Sequence, residues 1–159
     1  MRSQMQFTKA EGYGLHGVMF LAEQPEGKVT PLSEISEAQK VPEKFLAKIF
    51  QSLTKAGLIK SRRGVMGGFV MARPADQITV REVIESIQGP YFLAKCLEDE
   101  RVCDRAGSCS IRTLIGMAQE RILNLFEEHT IADLAAWERQ MSQIPLTTEE
   151  DESKRSICR

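Results

Sequence analysis

No stretch of the 159-residue sequence reaches the roughly 18 consecutive apolar residues that a membrane-spanning helix needs. The opening Met1-Arg2-Ser3-Gln4 lacks an apolar run before a small-residue cleavage site. No membrane association is expected, and the reading places the chain in the cytoplasm. With two histidines, one tryptophan and no metalloprotease or Ser/His/Asp signature, the sequence offers no acid, base and nucleophile constellation, so an enzyme is not expected. The Gly-Lys-Ser/Thr of a P-loop is missing too, and the glycine-rich segment lies between two strand-like runs rather than at a helix start. Cysteine is limited to four residues without a C-x2-C pair, which argues against a disulfide framework and against the usual zinc spacing.

What the chain does contain is an uneven distribution of charge. Residues 1–75 carry 11 Lys+Arg against 6 Asp+Glu, and residues 76–159 carry 10 against 16, so a net charge of -1 conceals halves of +5 and -6. A basic N-terminal unit implies a polyanionic partner for that half.

Residues 8–23 place Leu15, Val18, Met19 and Ala22 at helical spacing before Pro25 and Gly27 break the pattern. Thr30-Pro31 starts a short helix ending near Lys40, with Thr30 as its N-cap candidate. From Pro42 the stripe Phe45, Leu46, Ile49, Phe50, Leu53 and Ala56 predicts a second helix that stops at Gly57, with Glu43, Lys44, Lys48, Gln51 and Lys55 on its other face. Two helices joined by a short turn outline a helix-turn-helix. Residues 58–61 and 69–73 read as strands around a glycine-rich turn, which is a wing. Thr79 and Glu82 match a capping box for a helix ended by Gly89-Pro90. Residues 91–109 show no sustained period, and most of the stretch is expected to form an irregular loop. Ser110 is the candidate cap of a long helix with the seam Ile111, Leu114, Ile115, Ala118, Ile122, Leu125 and Phe126, and Thr130 starts a last helix toward Met141. The expected units are a winged helix-turn-helix over 1–88, a cysteine-bearing loop over 89–109, a dimerisation helix and C-terminal helix over 110–142, and a disordered polar tail over 143–159. The fold class is therefore mainly α with one small β-hairpin.

The winged outline predicts that Glu43, Lys44 and Lys48 reach the major groove of double-stranded DNA, while Arg62 and Arg63 at the base of the turn meet backbone or minor groove. Cys96, Cys103 and Cys109 are spaced C-x6-C-x5-C, and their soft thiolates suit an iron-sulfur cluster, or zinc with less support from the spacing. Three loop cysteines are equally compatible with inert thiols or a redox disulfide. Cys158 falls in the polar tail and is read as incidental.

In this order the segments resemble the winged-helix iron-sulfur transcription regulators that include the IscR-type and NsrR-type proteins. The resemblance rests on Phe7-Thr8-Lys9 with Tyr13, Leu32-Ser33-Glu34-Ile35-Ser36-Glu37, Phe45-Leu46 with Ile49-Phe50, residues 53–58, Arg63-Gly64 with Gly67-Gly68-Phe69, residues 80–84 and the three cysteines. It implies a homodimer on a roughly palindromic operator, DNA-contacting positions at Pro42, Glu43, Lys44, Phe45, Lys48 and Arg63, and a cluster on Cys96, Cys103 and Cys109. A 2Fe-2S cluster is favoured on resemblance, with 4Fe-4S as the other form. The fourth ligand departs from the pattern: the histidine of IscR-type members is replaced by Arg112, which cannot bind iron, and the aspartate of NsrR-type members by Gly12. Glu11 and His16 in the first helix are the remaining protein candidates, beside Asp104, water or a small thiol. The expectation is thus a regulator whose operator affinity follows its cluster. The competing readings are an iron-sulfur carrier or electron-transfer protein, and a DNA-binding regulator with a thiol or zinc switch.

Overall fold

A computed structural model describes residues 7–142; Cys158 and the polar tail lie outside them. Helix α1 spans Lys9–Ala22, α2 Leu32–Gln39 and α3 Glu43–Lys55. Strands β1, Ile59–Arg62, and β2, Gly68–Met71, pair antiparallel with Ile59 opposite Met71 and Arg62 opposite Gly68. Helix α4 covers Val80–Gln88, the one-turn α5 Lys95–Glu98, the long α6 Ser110–Glu128, and α7 Ile131–Ser142. The protein is therefore mainly α with a two-stranded hairpin.

The core forms where α1 to α4 meet. Val18, Ile35, Leu46, Phe50, Leu53, Val83 and Ile84 are buried there. The sequence explains how closely the helices approach: a Cβ at Gly17 would stand 2.7 Å from the Phe50 ring, so glycine in α1 lets α3 lie almost against its backbone. Phe50 in turn meets Phe69 of β2 edge to face, with ring centroids 5.0 Å apart, which fixes the hairpin beside α3. A bridge between Thr30 and Phe69 holds the hairpin's other side to the segment before α2.

The apolar stripe of α3 is narrower than the sequence suggests. Phe45 is 62% exposed and Ala56 is also exposed, because the core-facing arc is filled by Leu46, Ile49, Phe50 and Leu53 alone. Thr79 caps α4, its hydroxyl accepting from the Glu82 N–H at 3.2 Å while the Glu82 carboxylate accepts from the Thr79 N–H at 3.0 Å. After α6 the chain returns to the winged-helix body. Val80 N–H donates to His129 O and Ile131 N–H to Ile78 O, each at 2.9 Å, and α7 packs on α1. No helix of the described residues is long and apolar enough to cross a membrane.

Candidate nucleic-acid interface and cysteine loop

Pro42 precedes the first turn of α3 and offers no side-chain cap, so the leading N–H groups of the helix have no side-chain acceptor. Glu43, Lys44, Phe45, Lys48, Gln51 and Lys55 are all exposed along one side of α3, and Arg62 and Arg63 are exposed on the adjoining hairpin. From Lys44 to Ala75 the chain holds seven Lys+Arg and no Asp or Glu. Among the described residues, Lys44, Lys48, Arg62 and Arg63 have no carboxylate within salt-bridge distance. Elsewhere Lys28 pairs with Glu34 at 2.7 Å, Arg73 with Glu82 at 2.7 Å and Arg139 with Glu23 at 3.3 Å. The helix and hairpin thus carry cations without a salt-bridge partner among the described residues. A groove of about 610 Å³ runs past Tyr13, Pro42, Phe45, Lys48 and Ile87, joining the start of α1 to the start of α3.

The cysteine segment is more ordered than an irregular loop. It consists of three single turns, α5 and 3-10 turns at Glu100–Val102 and Ala106–Ser108. Cys96 sits in the first, Cys103 follows the second, and Cys109 rather than Ser110 caps α6, its Sγ accepting from the Arg112 N–H at 3.4 Å. All three are free and half-buried. Arg112 pins the segment to α6: its Nε donates to Cys96 O at 3.0 Å and its Nη2 to the Glu100 carboxylate at 2.6 Å. Leu93 N–H adds a second tie, to Gln119 Oε1 at 2.8 Å.

Three thiols on one short segment are a donor set that fits iron or an iron-sulfur cluster by their softness. They are not gathered within one subunit, since no three His, Cys, Asp or Glu groups among the described residues stand close enough to hold a metal ion. The helix candidates point to different places. Glu11 is fully buried, not solvated; its Oε2 accepts from the Thr8 N–H, and its Oε1 has no partner among the described residues. His16 is 54% exposed, with Nδ1 3.8 Å from Glu138 of α7. Asp104 is exposed beside Cys103.

The structure adds Tyr91, which sequence reasoning passed over. Burial raises its hydroxyl above the usual tyrosine range, and the nearby Glu11 carboxylate raises it further. Its ring meets Phe126 of α6 with centroids 6.3 Å apart. Tyr91 thus packs its ring on Phe126 of α6 and lies within electrostatic reach of the buried Glu11. A lone tyrosine after Gly89-Pro90 carries no periodic signal by which to find it.

The fold has solved counterparts. CymR of B. subtilis, described as its global cysteine regulator, is 27% identical with a TM-score of 0.65, covering 84% of this chain and 98% of that one. IscR of T. potens is 23% identical with a TM-score of 0.69, covering 88% and 92%. The oxidised form of CymR from Staphylococcus aureus is 23% identical with a TM-score of 0.65, covering 82% and 96%. At these last two identities the likeness shows the fold alone. The sequence profile of the family described as "Rrf2: Iron-dependent Transcriptional regulator" matches residues 7–137, most of the chain. The protein belongs to the Rrf2 family of transcriptional regulators.

Proposed function

We propose that the protein is a homodimeric regulator that grips double-stranded operator DNA with α3 and the hairpin, and whose grip follows the state of an iron-sulfur cluster on Cys96, Cys103 and Cys109. Family membership makes it a transcriptional regulator and not an enzyme. The observation that carries the DNA assignment is the acid-free stretch from Lys44 to Ala75, whose exposed cations lie on one helix and the hairpin packed beside it. Phosphates supply the missing anions, and the open N-terminus of α3 offers them N–H groups as well. Lys44, Lys48, Arg62 and Arg63 serve as phosphate contacts, with Arg63 also available to a narrow minor groove. Glu43 suits a cytosine amino group and Phe45 a thymine methyl, so Pro42, Glu43 and Phe45 read sequence rather than charge.

Dimerisation is supported by α6. Not one of its 19 residues is buried, and Ile111, Leu114, Met117 and Leu125 are at least half exposed. A second copy covering this seam removes the apolar surface from water and sets two α3 helices at a fixed separation.

The cysteine segment is the sensing element of this reading. A bound cluster would supply soft, redox-active iron that draws the thiolates together. Arg112, Glu100 and Gln119 tie that segment to α6, and Tyr91 at its entrance packs against the core of the DNA-binding body and on Phe126 of α6, so a reordering of the turns reaches both the dimer helix and that body. The population with correctly spaced recognition helices shifts accordingly. Glu11 keeps one buried oxygen without a partner among the described residues and His16 is exposed, so both stay candidates for the fourth ligand beside Asp104 or an exogenous ligand.

A thiol switch without a cluster is the second reading, favoured by the three free half-buried cysteines and by the likeness to CymR. Colour and the iron-to-sulfide ratio of anaerobically purified protein separate the two, with equimolar iron and sulfide expected. The DNA assignment is tested by titrating a duplex selected from a random library at several salt concentrations. A steep fall of log K with log salt is expected. An iron-sulfur carrier would select no duplex.

A further inference from the structure

The geometry points to the apex of the hairpin as an apolar wedge, with Met66 entering the DNA minor groove and Val65 seated at its mouth. This inference rests on the DNA-binding reading above and goes beyond the charge contacts assigned there.

Gly67 N–H donates to Gly64 O at 3.0 Å, so these residues close a four-residue turn with Val65 and Met66 at its corners. Gly64 has φ of +125°, a region that L side chains avoid, and a Cβ at Gly67 would stand 2.8 Å from Arg62 O and 2.9 Å from Gly64 O. Both shoulders of the turn therefore demand glycine, and the two corner side chains are thrown outward. Val65 is 106% exposed and Met66 88%. Turn corners ordinarily hold Gly, Asn, Asp, Ser or Pro, which satisfy the turn without showing apolar surface to water. Two adjacent apolar residues at the most protruding point do nothing for the turn itself; they call for a partner that covers them.

The surroundings identify that partner. Arg62 and Arg63 stand immediately before the apex, exposed and without a carboxylate among the described residues. The hairpin is held beside α3 by the Phe50 to Phe69 contact, so its tip reaches the same duplex that α3 meets. Apolar side chains such as Met are used as wedges that partly unstack a base step and kink the duplex, while neighbouring arginines hold the groove walls. Flexible pyrimidine–purine steps yield to such a wedge at least cost. A lipid surface would also accept an apolar tip beside cations, but two side chains on a hairpin packed against α3 suit a groove better than an interface.

The test uses a duplex selected by the full-length protein from a random library, end-labelled so that energy transfer reports its bend. Val65→Ser/Met66→Ser is compared with the unaltered protein, since the double substitution keeps both glycines and the arginines. The unaltered protein is expected to bend the duplex by about 20–90°. The double variant is expected to lose most of that bend and about tenfold in affinity, with the salt dependence unchanged. An unbent complex with the unaltered protein, or equal bending by both proteins, overturns the wedge while leaving DNA binding intact. Failure to select any duplex overturns the DNA reading as well. Tip-dependent binding to anionic phospholipid vesicles, or tip-dependent self-association without DNA, with bending equal in both proteins, assigns the apex elsewhere and also overturns it.

Discussion

Arg112, at the position where the resemblance to IscR-type regulators implies a histidine ligand, makes contacts across the cysteine segment. Its guanidinium reaches Cys96 O and Glu100, and its own N–H meets Cys109 Sγ, so one residue touches the first two turns and two of the three cysteines. Arg112→Ala removes these side-chain ties and is expected to loosen the segment, increasing hydrogen exchange across residues 95–105 while leaving α3 protected. Phe45 and Lys48 separate two kinds of contact on α3. Phe45→Ala is expected to cost about 1–3 kcal/mol on the selected duplex with an unchanged salt slope, whereas Lys48→Ala weakens all duplexes alike and reduces the slope by about one. Anisotropy titrations on selected and scrambled duplexes decide this; a Phe45→Ala loss equal on both would contradict the assignment. Glu11 illustrates what a sequence conceals at this scale. Its identity was plain, but its complete burial comes from tertiary packing that no local window of sequence contains.

At the level of elements, the wing, α3 and α4 were legible because each carries a local signal: glycines at a tight turn, a 3.6-residue stripe, a capping box. The cap on α4 makes a pH prediction. Burial opposes ionisation of Glu82, but its hydrogen bonds to Arg73 and to the Thr79 N–H outweigh this, and its carboxyl is held below the usual glutamate range. A depressed folded-state value means the cap contributes fully above the ordinary glutamate range and is lost as pH falls through the folded value. Solvent screening discounts this partly exposed pair, and glutamine can still accept from the Thr79 N–H, so thermal unfolding should show Glu82→Gln less stable by only about 0.5 kcal/mol near neutrality, with the gap to the unaltered protein closing in acid. The cysteine segment was less legible, for a physical reason. Its single turns are held by long-range ties such as Leu93 to Gln119 and Arg112 to Cys96, which no short window of sequence contains. The seam of α6 was visible, but the periodicity alone did not show that the subunit leaves that helix without a buried residue.

At the scale of the whole molecule, the proposed regulator couples a cationic DNA-reading face to a sulfur-bearing segment through α6. The seam predicts that Leu114→Glu places charge in the subunit interface and yields a monomer in sedimentation, with much weaker operator binding because two half-sites are no longer held together. A variant that remains dimeric would move the interface elsewhere. The most direct measurement compares one anaerobic preparation before and after iron removal, titrated against the same selected duplex at fixed salt. Affinities differing at least tenfold, about 1.4 kcal/mol of coupling, are expected. Equal affinities would contradict the coupling.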